Sequence, residues 1–389
     1  MLPVFGAPST NIRTLEPRIL YVQYANPAEL PPLEHSSRIL ADKGWNVLFL
    51  GIDGTEGLTF DPHPRIRLKR MEYCKPGFLQ KLHYLQYCAW VLWTIAIWRP
   101  RCLYASDTFG APLAWVATFF RSLRVIYHEH DSAPPSAEPL MKLLAAFRGR
   151  LYKKALCVWP NERRAELVAP QCVQRAVVWN CPGRAEVREA RPVEAVAKLN
   201  VFYHGSIVPA RLPATIVEAL LLLPVGVRLT VAGYETVSSR GYVDKLRAIA
   251  RQAGAEHRFK YAGAVPRRTD LLALCRQADV GIAFMPLTDR GDINASNMTG
   301  ASNKPFDYLS QGLALLVSNR PDWKTMFADA GFGLSCNQDD PASIASALRW
   351  FMDHADDRRG MGERGRQRIL QDWNYETQFQ PILEWLNKS

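Results

Sequence analysis

The chain has 389 residues, 48% of them apolar and 22% charged, with 24 Gly and 27 Pro. At roughly 150 residues per domain this length calls for two to three domains, and the composition excludes a mini-protein, a collagenous or repeat protein and a disordered chain. The net charge of +11 is lopsided: residues 1–200 hold 26 Lys and Arg against 17 Asp and Glu, whereas residues 201–389 hold 22 against 20. A basic first half suits an anionic partner, such as a lipid head group, a membrane surface, a phosphorylated ligand or nucleic acid.

The opening MLPVFGAPSTNIRTLEPR lacks the basic-then-apolar layout of a secretory leader, so export is not expected. The eight cysteines form no CxxC and pair with no nearby histidine. Cys102 and Cys157 sit inside apolar runs, which points to buried reduced thiols and a cytosolic compartment. Short β-rich runs follow at residues 18–23 (RILYVQ), 46–51 (NVLFLG), 102–106 (CLYAS), 124–128 (RVIYH), 155–159 (ALCVW) and 176–180 (AVVWN), with a helix over 34–43 stopped by Gly44. This order predicts a parallel sheet with helices on both faces. Residues 84–98 (YLQYCAWVLWTIAIW) are nearly all apolar and lie between Lys81 and Arg99. At about fifteen residues the segment falls short of the roughly twenty that span a bilayer. Two readings fit it: a helix covering the face of the sheet, or an interfacial helix dipping Trp90, Trp93 and Trp98 into lipid.

The charged, Pro-containing stretch 182–198 reads as an interdomain linker. Beyond it, strands are expected at 201–205, 228–232, 259–261, 280–284, 314–318 and 331–335, alternating with helices at 213–223, 242–253, 270–276, 304–310, 341–352 and 358–370. Tyr375, Phe379, Ile382, Leu383 and Leu386 then fall on one helical face, with Pro381 kinking or restarting the helix. The expected fold class is α/β: two doubly wound domains, 1–195 and 196–372, and a terminal helix, 373–389, packing back on the first. Open α/β sheets bind ligands outside the carboxyl ends of their strands, so the function is expected in a cleft between the halves.

The most informative stretch is 279–318, ADVGIAFMPLTDRGDINASNMTGASNKPFDYLSQGLALLVS with its preceding alanine. A strand ending at Phe284 gives way to a polar loop holding Asp289, Asp292, Asn294, Asn297, Gly300 and Ser302. Ser302 or Asn303 then caps a helix with Lys304 and Pro305 in its first turn. Free amides at that helix start, with the Gly300 backbone, make an anion site worth up to about 2 kcal/mol, and Lys304 adds a charge-assisted contact of about 1.5–3 kcal/mol. A phosphate fits there. Asp307, one turn further, is expected to face the same mouth, at a range where a carboxylate accepts ribose hydroxyls. In the first half, His128 and His130 flank Glu129, and Asp107 closes CLYASD. The sequence points to no third ligand that would complete a metal site. These polar residues, with Tyr24 and Asn26 after the first strand, read as acceptor-side and sugar contacts at a carboxyl strand edge.

Between residues 201 and 373, the segments FYHGSI, GVRLTVAGYE, YAGAVP, SNKPFDYLSQG and ERGRQRILQDWNYE resemble the group-1 (family 4) retaining, nucleotide-sugar-dependent glycosyltransferases of the GT-B architecture. The strand order and IYHEHDSAP fit more loosely over residues 18–190. The resemblance implies two Rossmann-like domains facing across a cleft, with a nucleoside-diphosphate sugar as donor and neither cofactor nor metal. It puts Asp307 where the family binds the donor ribose. Met298, Thr299, Gly300, Ala301, Ser302 and Asn303 would cradle sugar and diphosphate through backbone amides, while Gly263, Ala264 and Val265 would read the base. Gly205 and Ser206 would lie beneath the diphosphate, with Arg211 near the family's basic residue for that group. His130 aligns with a histidine beside the transferred sugar, so His130, Lys304 and Arg211 are the expected catalytic residues.

The chain departs from the family pattern at three places. Thr299 stands where the first of two acids is usual, Ser206 replaces a frequent arginine, and the loop from Tyr24 to Glu29 lacks the Gly-Gly pair. The implied function is transfer of a sugar to an acceptor hydroxyl with retention of anomeric configuration, in polysaccharide or glycolipid assembly. The expected partner is an acceptor sugar or a lipid-linked glycan, in the cytoplasm or peripherally on the inner face of a membrane. Thr299 and the missing glycines leave open a non-catalytic nucleotide-binding module, and the architecture leaves open a sugar-nucleotide epimerase or a phosphorylase. Nucleic acid is not expected, because the basic residues are scattered without interleaved aromatics.

Overall fold

Strands covered by helices on both faces must be apolar nearly throughout, and RILYV, NVLFLGI and CLYAS meet that demand, each buried almost end to end. The computed structural model describes residues 16–54, 57–133, 136, 138–189, 198–287 and 292–388. Residues 1–15, Asp289 and residues 190–197 of the expected linker lie outside the described residues. In the first half, β1 (Arg18–Val22), β2 (Asn46–Ile52), β3 (Ile66–Met71), β4 (Cys102–Ser106), β5 (Arg124–His128), β6 (Leu156–Trp159) and β7 (Gln174–Val177) form one sheet. Its order is β3-β2-β1-β4-β5-β6-β7, and every neighbouring pair is parallel.

Strand β3 was not expected from the sequence. It is an edge strand, and its IRLKRM leaves Arg67, Lys69 and Arg70 exposed, so its charges hide the strand pattern while blunting the edge. The run expected at 176–180 pairs two residues earlier, as β7.

Helix α1 (Pro31–Asp42) covers one face of this sheet; α2 (Phe78–Trp98), α3 (Asp107–Ala117) and α4 (Pro139–Leu151) cover the other, and α5 (Glu162–Val168) joins β6 to β7. Only Tyr87, Val91 and Ile95 of α2 are fully buried. Trp90 and Trp98 rest against the same core, as the sheet-covering reading has it, whereas Trp93 is 66% exposed, so the three tryptophans of the interfacial reading point to different environments.

The second half repeats the plan with β8 (Leu199–Ile207), β9 (Val227–Glu235), β10 (Phe259–Tyr261), β11 (Val280–Ala283), β12 (Ala314–Ser318) and β13 (Gly333–Cys336), in the order β10-β9-β8-β11-β12-β13. Its helices are α6 (Thr215–Leu221), α7 (Tyr242–Gln252), α8 (Arg268–Cys275), α9 (Ile293–Ser296), α10 (Asn303–Ser310), α11 (Pro321–Trp323), α12 (Pro341–Asp353) and α13 (Ala355–Gln371). The chain then recrosses to the first half as α14 (Tyr375–Gln378) and α15 (Gln380–Asn387), with Pro381 in the opening turn of α15. Tyr375, Phe379, Ile382, Leu383 and Leu386 share a core with Ile19, Tyr21 and Phe49, each buried side chain contributing about 1.5–3 kcal/mol. Arg124 fastens the far end, donating to the carbonyls of Trp385 and Leu386 with its guanidinium 3.7 Å above the Trp385 ring.

The two halves therefore meet twice: through these terminal helices, and across the cleft at the carboxyl ends of the strands. There the Thr59 N–H donates to the Pro266 carbonyl at 3.0 Å, and the Thr269 hydroxyl donates to Asp61 at 3.0 Å. The Asn294 side chain pairs with both backbone groups of Ser132.

Candidate active site

A cavity of about 360 Å³ lies in this cleft, and its floor is built by close backbone approach. Gly205 on β8 and Gly233 on β9 both have positive φ, 101° and 142°, and a Cβ on Gly233 would lie 1.9 Å from the Gly205 carbonyl oxygen. A Cβ on Gly205 would itself stand 3.2 Å from Lys304 Nζ, so the lysine rests on bare backbone. Lys304 comes from the first turn of α10, where Ser302 holds the cap position without a side-chain cap bond. Arg211 lies on the same wall and donates to Ser206 Oγ at 3.2 Å. Burial, aided by repulsion from Arg211 and opposed by Asp307, brings the Lys304 ammonium down to about 7.

His130, Gly205, Ser206, Arg211, Val265, Met298, Ala301, Ser302, Asn303, Lys304 and Asp307 line one cavity, although they come from distant parts of the chain. Gly263, Ala264, Thr299 and Gly300 do not line it. Gly263 accepts the Gly233 N–H, the Thr299 hydroxyl donates to Asp322, and Gly300 is pressed on Trp179, where a Cβ would meet the indole at 2.5 Å. The loop turns its carbonyls to the first half: Asn161 donates to Thr299 O, and Asn180 donates to Gly300 O and Ala301 O. Arg164, almost fully buried, adds bonds to the Asn294 and Asn297 carbonyls.

On the opposite lip His130 faces the cavity with neither ring nitrogen bonded, and burial depresses its pKa to about 3, so the imidazole is neutral. His128 lies against it at 3.7 Å between ring centroids, the ring planes tilted by 34°, and bonds Tyr104 OH through Nδ1. Asp107 accepts the His130 N–H at 3.0 Å from a left-handed backbone position, φ 57°, the strained conformation of a sharp strand-to-helix turn. Burial, and then the charge of Asp131, lift its carboxyl to about 7. Tyr24 and Asn26 stand outside the cavity. Tyr24 OH bonds His83, and the Asn26 side chain accepts from Ala28 N and donates to Leu58 O.

Asp307 was expected to meet ribose hydroxyls, but both its oxygens are engaged by Arg268, at 2.6 and 3.3 Å. Arg268, which also lines the cavity, donates to Glu186 at 2.6 and 3.1 Å, and Glu186 bonds His35 on α1 at 2.9 Å. This largely buried chain of bonds crosses from the second half, through the expected linker, to the first half. Burial pulls the Arg268 guanidinium down, yet the two carboxylates hold its pKa well above the ordinary value. His204 sits 3.4 Å from Asp307; burial, then Lys304 and Arg268, keep it neutral. Sequence reasoning singled out none of Arg268, Glu186, His35 or His204; His204 alone carried a signal, as the histidine of FYHGSI. Among the described residues no cluster of three His, Cys, Asp or Glu is arranged to hold a metal ion.

The glycosyl transferase-like family model matches residues 197–384. This half is similar to that family. The whole chain is also similar in fold to solved GT-B structures. Anabaena HepE in complex with UDP and glucose superposes with a TM-score of 0.70 at 15% identity, over 96% of this chain and 100% of that one. Sucrose-phosphate synthase from Thermosynechococcus elongatus gives 0.71 at 13% identity, over 96% and 98%. WaaG, a glycosyltransferase involved in lipopolysaccharide biosynthesis, gives 0.64 at 13%, over 95% and 100%. No curated protein matches the chain. The half matched by the family model supplies the wall with Lys304, Arg211 and Arg268, and the first half supplies His130.

Proposed function

We propose that the protein is a glycosyltransferase that moves a sugar from a nucleoside-diphosphate sugar to an acceptor hydroxyl with retention, in polysaccharide or glycolipid assembly on the cytoplasmic side. The observation that carries this reading is the convergence of Lys304, Arg211 and the start of α10 on one buried wall of a GT-B cleft, facing a neutral His130. Cleavage of the sugar–phosphate bond puts negative charge on the departing diphosphate. Lys304, Arg211 and the amides at the α10 start stabilise that charge where water is scarce. In this reading the departing phosphate oxygen takes the acceptor proton as the acceptor oxygen bonds the anomeric carbon, and the positive groups of the wall do the work assigned elsewhere to a metal. His130, unprotonated and unpaired, hydrogen-bonds the transferred sugar.

The test is release of nucleoside diphosphate from a panel of nucleotide sugars, with and without candidate acceptors, and NMR of the product linkage. The reading expects release from one donor, stimulated by acceptor, and a product of unchanged anomeric configuration. Binding of every donor without release would leave a nucleotide-binding module, and an inverted linkage would remove the retaining mechanism.

A further inference from the structure

The outer face of α2 is apolar where a water-facing helix would be polar. From Leu82 to the end of the helix the exposed positions are Leu82, Leu85, Gln86, Ala89, Leu92, Trp93, Ala96 and Ile97, with one polar side chain among them. Leu85, Trp93 and Ile97 are 62%, 66% and 61% exposed. From Leu82 to Ile97 the stripe runs over about 24 Å of this 21-residue helix. No helix among the described residues is long and apolar enough to cross a membrane, so such a face can lie on lipid but not pass through it.

The charge around the stripe selects its occupant. Residues 73–128 hold six Lys and Arg and a single acid, Asp107, whose carboxylate is engaged by the His130 N–H. Lys81 in the first turns of α2 and Arg99 just beyond its end are exposed, as is Arg121, and Lys154 lies 4.3 Å from the ring of Phe119, itself 58% exposed. A second copy of the chain set against this face would bring like charges together, whereas an anionic bilayer pairs with them and takes up the apolar side chains. The stripe also starts on the side of the sheet where the strands β1 and β4 end. Tyr24, in the loop after β1, bonds His83 and the Gln80 carbonyl in the first turns of α2, and Tyr84 OH donates to the Phe109 carbonyl, two residues from Asp107.

We propose that the outer face of α2 docks the protein on an anionic lipid surface, with the His130 lip of the cleft at the membrane, so that the acceptor is a glycan anchored in that bilayer. The acceptor's identity rests on the glycosyltransferase reading; the docking does not.

The test is flotation of the full chain with vesicles of phosphatidylcholine alone or with about a third phosphatidylglycerol. The expected result is binding to the anionic vesicles only, weakened but not abolished by salt, and reduced at least about tenfold in a Leu85→Glu, Trp93→Glu double variant. Val237→Glu, at an equally exposed apolar position in the second half, should bind as the wild type does. Thermal melting and circular dichroism check that each variant is folded as the wild type is. No binding by the wild type, equal binding by the double variant, or a wild-type dimer that the double variant dissolves would each overturn the inference. Vesicle binding without sugar transfer would instead count against the proposed function alone.

Discussion

Raising the pH should weaken binding of the nucleotide sugar through a single lysine. Burial and Arg211 hold Lys304 at about 7 in the cleft, against an ordinary 10.5, so near neutrality about half of the molecules present a neutral amine to the diphosphate. An anion 3–4 Å away favours the ammonium, so the complex has the higher pKa, and above neutrality binding must take up a proton. The sign follows. Below about pH 6 the lysine is charged in both states and affinity is flat; above about pH 7 the apparent Kd rises, at most about tenfold per pH unit. Between about pH 7 and 9 this amounts to as much as a hundredfold, or about 2.7 kcal/mol. Titration calorimetry in buffers of different ionisation enthalpy measures both the affinity and the proton uptake, and the intact nucleotide sugar has no phosphate proton of its own to confuse the count. Asp107, also lifted to about 7, titrates in the same window, so the informative control is Lys304→Arg, which keeps the charge and leaves Asp107 in place. That variant should bind with a much flatter pH profile. A wild-type Kd constant across the range, or a Lys304→Arg profile as steep as the wild type's, would refute the reasoning.

Two further outcomes follow from the packing around the cavity. Arg268→Ala leaves the carboxylates of Asp307, buried, and Glu186, partly buried, without their cation, and should cost about 3–5 kcal/mol in urea unfolding; adding Asp307→Asn and Glu186→Gln should recover at least half of that, and an unchanged single variant would dissolve the supposed network. Gly281→Ala would place a Cβ 2.1 Å from the Tyr308 ring, whose hydroxyl accepts the His204 N–H, so melting should show a loss of about 1–3 kcal/mol together with weaker nucleotide-sugar binding; Gly110→Ala, whose nearest neighbour would be 3.4 Å away inside α3, should keep or raise stability.

The strand order was legible because parallel strands buried on both faces leave continuous apolar runs, as in β1, β2 and β12. Strand β3 escaped for the complementary reason: at a sheet edge the backbone pairs on one side only, and IRLKRM reads as a charged loop. In α2 hydropathy fails differently, since apolar side chains lie all round the helix. No periodicity separates Trp90, on the core, from Trp93, in the open, and only the position of the sheet decides. The start of α10 could be read locally, because a Ser-Asn-Lys-Pro turn carries its own signal in capping position, ring constraint and charge.

The Arg268 network could not be read that way, and the reason bears on the site itself. Its bonds join Arg268 to Asp307 across 39 residues, to Glu186 across 82, and Glu186 to His35 across 151. No spacing rule reaches that far. Two carboxylates can be buried around one guanidinium only where the three come together in the folded chain, and here that point is the seam between the halves. Asp307, an acid one turn into a helix whose start favours anions, therefore reads from sequence as a ligand for ribose, and in the fold it is first a counter-ion. In the proposed function a ribose reaching Asp307 would share it with Arg268, the side chain that also holds Glu186 and, through it, the bond to His35 of the first half.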